Sequence, residues 1–198
     1  MRLSILIPSN RPEGLARLIA SLQKNSVTND VELVILVDDE TNYVDFRNGM
    51  IIIHRQPKKP LCMSELNQEC YQRATGDWIM FGNDDIICNT PEWDRLLFIA
   101  IEQFGQDGIA LFWPDDCMFG SKLACFPIVS RKLLNLIDFF PQPYRRYKID
   151  DTLHNIIPVA RRYFLSNIEF KHENDQGTVG YPLDGKRIYP IDREAGDF

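Results

Sequence analysis

Apolar residues along the chain fall into short unbroken runs, separated by longer stretches in which they recur every three or four positions. The runs at 3–7 and 31–37 are near-continuous, the pattern of strands covered on both faces. Between them, Leu15, Leu18, Ile19 and Leu22 keep helical spacing and predict an amphipathic helix ending near Asn25. Strand, helix and strand at this spacing form a βαβ unit, which implies parallel strands and a right-handed crossover. A third short strand is predicted at 50–54. A helix follows over 64–74, on Leu66, Cys70, Tyr71 and Ala74, and Gly76 stops it. The run from Trp78 to Phe81 reads as a strand in the middle of a sheet. Thr90 as N-cap and Pro91 at the first position then open a helix striped by Trp93, Leu96, Leu97, Ala100, Ile101 and Phe104.

Further strands are predicted at 109–113 and 124–129, and Ser130 caps a helix over 132–139. A later helical pattern through Leu153, Ile156, Ile157 and Ala160 should be kinked or split by Pro158. The last strand is expected at 168–170. Alternating strands and helices of these lengths define an α/β domain with a central, mostly parallel sheet flanked by helices. Residues 1–174 form that domain on this reading, and residues 175–198, rich in Gly, Pro and charge, a C-terminal tail or flap.

Composition narrows the class. The chain has 198 residues, 44% hydrophobic and 25% charged, as expected of one soluble globular domain. A net charge of −6 gives no help to a nucleic-acid partner. The first apolar run ends at Pro8, too short for a signal peptide or a membrane span, so a cytoplasmic protein is expected. Five cysteines (62, 70, 88, 117 and 125) include no C-x-x-C pair, which suits reduced thiols better than a disulfide framework or a zinc site.

Chemistry enters at the ends of the strands. Asp38/Asp39, Asp84/Asp85 and Asp115/Asp116 each close an apolar run, and Asp150/Asp151 open a helix. In open α/β sheets ligands sit at the carboxyl ends of the strands. A buried carboxylate there needs a partner or a cation, and hard oxygen donors suit Mg²⁺ or Mn²⁺ holding phosphate. Asn83-Asp84-Asp85 is also good turn chemistry, and the residues alone leave the two readings level.

The order of parts resembles the GT-A glycosyltransferases of the inverting family 2 type. The resemblance is carried by Ile7-Pro8-Ser9-Asn10-Arg11 after the first strand and by Val37-Asp38-Asp39 at the end of the second. It continues with Asn67 to Ile79 leading into the metal strand, Asn83-Asp84-Asp85 in place of a D-x-D motif, Asp150-Asp151-Thr152-Leu153, and His172. It spans about residues 3–174 by pattern. It implies a single GT-A (Rossmann-like) domain that moves a hexosyl or pentosyl group from a nucleoside-diphosphate sugar, UDP-sugars first, to a hydroxyl.

By the same resemblance, Pro8, Asn10, Arg11, Asp38, Asp39, Asn67, Asn83 and Asp84 line the nucleotide-sugar site. Asp85 and His172 hold Mn²⁺ or Mg²⁺, and Asp151, with Asp150 beside it, is the general base. Asn83 stands where many members carry an acid. Asp151 is equally placed to be an N-cap, and His172 an exposed strand-end histidine. Lys58 and Lys59 are read as solvated charges near the cleft.

Trp113, Phe119, Tyr144 and Tyr147, in the least family-like segments, offer aromatic faces for an acceptor, with ordinary loop packing the reading for at least half of them. A soluble acceptor is expected, a glycan or small molecule ahead of a modified nucleic acid, with no membrane span. Two other classes remain. A nucleotidyltransferase would carry a Gly-rich basic loop after the first strand, and Pro8-Ser9-Asn10-Arg11-Pro12 has no glycine. A non-catalytic nucleotide-sugar-binding module would have no need to keep Asp84, Asp85, Asp151 and His172.

Overall fold

A computed structural model of the chain describes residues 1–9, 11–37, 62–140 and 148–173, and the backbone of 50–54. Its first half is a parallel sheet. Strand β1 (Leu3–Ser9) lies between β2 (Val31–Val37) and β4 (Trp78–Phe81), and β3 (Met50–His54) pairs with β2, all in parallel. The second half is mixed. Strand β7 (Ile128–Ser130) runs antiparallel to β4, and β6 (Leu111–Asp115) antiparallel to β7. Strand β8 (Arg162–His172) is parallel to β6, and β5 (Ile86–Cys88) closes the edge antiparallel to β8. The order is β3-β2-β1-β4-β7-β6-β8-β5.

The continuous apolar runs are explained by what lies above and below them. Leu3, Ile5, Ile7, Leu33, Ile35, Trp78 and Met80 face helices α1 (Pro12–Asn25) and α3 (Trp93–Phe104) in one core. Leu6, Val34, Leu36, Ile79 and Phe81 face α2 (Met63–Arg73), α4 (Arg131–Leu136) and α5 (Ile149–Ile156) in the other. Alternate side chains therefore enter opposite cores, so each strand is apolar throughout. Full burial of a leucine such as Leu6 or Leu18 is worth about 1.5–3 kcal/mol.

Below the sheet, buried Glu32 pins the strand starts together. It accepts from Ser4 Oγ (2.6 Å) and Thr75 Oγ1 (2.7 Å) and pairs with Arg2 (3.1 Å). Burial raises the Glu32 pKa, but these donors and Arg2 outweigh it and leave it lowered. Gly76 is required here, because a Cβ would stand 2.5 Å from Ser4 Oγ and 2.7 Å from its nitrogen.

Several boundaries differ from expectation. Pro8 does not begin a loop; it lies inside β1, buried and in register with Leu36. Helix α3 starts at Trp93 behind Glu92, which has φ 56°, instead of being capped by Thr90. The Thr90 hydroxyl is committed elsewhere, accepting from the Glu169 N–H at 2.7 Å. The strand expected at 124–129 is reduced to Ile128–Ser130, whereas the one expected at 168–170 extends over Arg162–His172. Ser130 does cap its helix, accepting from Leu133 N at 2.9 Å. Pro158 separates α5 from a short 3-10 turn. Asn10, Asp38, Asp39, Lys58, Lys59, Tyr144, Tyr147 and residues 175–198 lie outside the described residues.

Candidate active site

Strands β1, β4, β6 and β8 all point the same way, so their carboxyl ends share one edge of the sheet. That edge gathers Ser9, Asp84, Asp85, Asp115, Asp116 and His172. Strand β5 completes it by laying Ile86 opposite His172. The Glu173 N–H donates to the Asp85 carbonyl at 2.7 Å. The acidic end of the β4 strand is thereby fastened to the histidine far along the chain.

Asp84 ties the first loop to this edge. Its Oδ2 accepts from Ser9 Oγ (2.8 Å) and from the Arg11 N–H (3.2 Å), and its Oδ1 lies 3.4 Å from Arg11 Nε. The start of α1 can come this close only because residue 14 is glycine. A Cβ there would sit 2.4 Å from the Asp84 carbonyl oxygen. Arg11 Nη2 reaches on to Asp85 Oδ2 at 3.9 Å.

Asp85 is left in a different condition. Its Oδ1 is buried and has no hydrogen-bond partner among the described residues. Burial pushes its pKa up, with the Asp84 charge adding and the His172 and Arg11 charges opposing. An orphaned buried carboxylate beside an imidazole is a donor pair that fits Mn²⁺ or Mg²⁺. No three His, Cys, Asp or Glu side chains converge as a ready-made metal cage among the described residues. A cation here would have to take its remaining ligands from substrate oxygens and water.

Asp116 is the buried member of the next acidic pair. Its Oδ1 accepts from the N–H groups of Phe119 (2.9 Å), Gly120 (2.9 Å) and Met118 (3.2 Å), while Oδ2 lies 3.7 Å from His172 Nδ1. Burial works against the charge, but His172, Cys125 and these N–H groups prevail and hold its pKa well below the usual carboxylate range. The Cys125 thiol is pushed up by burial first and then by Asp116, with the charges of Asp150 and Asp151 adding. The start of α5 therefore belongs to the same neighbourhood.

Asp150 and Asp151 occupy the first turn of α5, not the position before it. The N-cap is Lys148, at φ 84°, and no side chain caps the helix. Asp151 is exposed. Asp150 is more enclosed, accepts the Asp151 N–H at 2.9 Å, and has its pKa raised mainly by burial, with the Asp151 charge adding.

Asn67 is buried on α2, its Nδ2 donating to the Met63 carbonyl at 2.9 Å and its Oδ1 unpartnered among the described residues. Asn83 is partly exposed at the end of β4. Trp113 is buried and donates to the Gly120 carbonyl at 2.9 Å, so it packs the loop and presents no open face. Ser9 and Cys125 were not singled out from sequence, and Asp116 was seen only as half of a strand-end pair. Its doubled acid was the one signal available.

No protein-family model matches the chain, and no curated protein matches it. Solved structures do. The chain is similar to the mannosyltransferase PcManGT from Pyrobaculum calidifontis, in complex with GDP-Man and Mn²⁺ (TM-score 0.64, 11% identity, 93% of this chain and 58% of that one). It is also similar to S. aureus TarS 1-349 in complex with UDP-GlcNAc (TM-score 0.58, 12% identity, 88% and 56%). A third is a mycobacterial protein (TM-score 0.60, 16% identity, 88% and 68%). The chain has the GT-A fold of PcManGT and TarS, and it spans a little over half the length of each. Among the described residues, no helix is long and apolar enough to cross a membrane.

Proposed function

We propose that the protein is an inverting, metal-dependent glycosyltransferase using a nucleoside-diphosphate sugar. The observation that carries this is the meeting of orphaned Asp85 with His172 at the carboxyl edge of a GT-A sheet. The nucleotide-sugar complexes of PcManGT and TarS support the donor class, and within it we favour a UDP-sugar.

Asp85 and His172 hold Mn²⁺ or Mg²⁺, and Asn10, Arg11, Asp38, Asp39, Asn67, Asn83 and Asp84 surround the nucleotide, with Pro8 shaping the strand end beneath it. A cation held there would supply Lewis-acid neutralisation of the leaving diphosphate. Asp84 keeps Arg11 at the mouth of the site through its contacts with the Arg11 N–H and guanidinium. Asp151, exposed on the first turn of α5, accepts the proton of the acceptor hydroxyl as that oxygen attacks the anomeric carbon. The bond from that carbon to the diphosphate oxygen breaks, and the diphosphate leaves with the electron pair. One displacement inverts the carbon, and no covalent enzyme intermediate is needed. The acceptor we favour is a soluble glycan or small molecule, and the compartment the cytoplasm.

The test is a panel of UDP- and GDP-sugars with and without Mn²⁺, read as release of nucleoside diphosphate. Metal-dependent release from at least one donor, lost in Asp85→Asn, is the expected result. Tight nucleotide-sugar binding with no turnover on any donor or acceptor would favour a binding module instead.

A further inference from the structure

We propose that Asp116 is a positioning residue that fixes the tautomer of His172, with the proton on Nδ1 and Nε2 left bare as the donor nitrogen. The metal role of Nε2 rests on the function proposed above; the orientation itself does not. Asp116 is 1% exposed, and its two oxygens have separate duties. Oδ1 is saturated by three main-chain N–H groups of the loop that follows β6. That leaves Oδ2 buried, without a hydrogen-bond partner among the described residues, and 3.7 Å from His172 Nδ1, which is buried and unpartnered too.

The separation is longer than a hydrogen bond, but neither atom meets a closer hydrogen-bond partner among the described residues, and the Cys125 thiol is the other side chain that acts on Asp116. The backbones are tied as well, since the His172 N–H reaches the Asp116 carbonyl at 3.4 Å. The Phe126 ring, centred 4.8 Å from the imidazole, covers the ring from another side. A carboxylate accepts and cannot donate here, so the imidazole nitrogen facing it must carry the proton. In the neutral imidazole the other nitrogen is then the bare one, the state a cation requires.

Asp116→Asn keeps an oxygen for the three loop N–H groups and can place an N–H donor against His172. The proton should then move to Nε2, the wrong tautomer for a ligand. The histidine nitrogens are observed by NMR in the metal-free protein, at a pH where the ring is neutral. There are three histidines, and His172 is identified by the resonance missing in His172→Gln. The wild type should show protonated Nδ1 and bare Nε2, and Asp116→Asn the reverse. By calorimetry with UDP present, Asp116→Asn should weaken Mn²⁺ binding by about 10–100-fold, as loss of an orienting partner does.

Protonated Nε2 in the wild type, or an unchanged tautomer in Asp116→Asn, would overturn the proposal. Should Asp116→Asn fail to fold, the wild-type tautomer decides alone. His172→Gln separates the two layers of argument. If it binds Mn²⁺ as tightly as wild type, the metal reading of His172 fails, while the tautomer still tests the role of Asp116.

Discussion

Asp151→Asn separates chemistry from structure more cleanly than any other change at the site. The side chain is exposed, does not cap α5, and leaves the hydrogen bond from the Asp151 N–H to the Asp150 side-chain Oδ1 intact when its charge is removed. The structural cost is confined to one favourable charge in the first turn of α5, worth about 0.3–1 kcal/mol. For a domain of this size that lowers Tm by no more than about 4 °C. Loss of a general base slows the chemical step by about 10²–10⁴-fold, or about 2.7–5.4 kcal/mol of barrier.

The two magnitudes differ enough to be told apart in one preparation. Single-turnover transfer under saturating donor and Mn²⁺ reads the chemistry, thermal unfolding reads the fold, and calorimetry with UDP and Mn²⁺ reads donor binding. The expected result is a slow enzyme with near-normal Tm and donor affinity. Transfer within a few-fold of wild type would refute the assignment and move it to Asp150, whose raised pKa already suits a proton acceptor.

Three further outcomes are expected. Asp85→Asn should abolish Mn²⁺-dependent UDP binding by calorimetry without unfolding the protein, and unchanged affinity would move the metal elsewhere. Gly14→Ala should drive its methyl into the Asp84 carbonyl, 2.4 Å away, costing about 1–3 kcal/mol in denaturant unfolding and weakening nucleotide binding with it. Glu32→Gln should cost about 1–3 kcal/mol, because the change removes the charge that Arg2, Ser4 and Thr75 hold. Since the folded pKa of Glu32 is lowered, its contribution is complete at neutral pH. It is lost as pH falls below the unfolded carboxylate range and through the folded value. Unfolding free energies measured from neutral to acid pH should therefore converge for wild type and Glu32→Gln.

Sequence alone determined the elements whose signal is local. Val31–Val37, Met50–His54 and Trp78–Phe81 were legible to the residue, because an apolar run between breakers has one use in a sheet covered on both sides. The stripe on α3 was legible for the same reason, since the spacing of Trp93, Leu97 and Ile101 is a property of the helix itself. What depends on a distant partner was not. Thr90 looked like a cap until Glu169 claimed its hydroxyl. Asp151 looked like a cap until the chain turned left-handed at Lys148. Strand β5 is three residues long and exists because β8 lies beside it. The acids at the strand ends announced a polar cleft, but sequence had no means of ranking them. Tertiary structure ranks them by what reaches each carboxylate. Among the described residues, Arg11 and Ser9 occupy Asp84, three loop N–H groups occupy one oxygen of Asp116 while the other faces His172, and an oxygen of Asp85 is left buried without a partner. Donors brought in from distant segments make that distinction, and no local pattern encodes it.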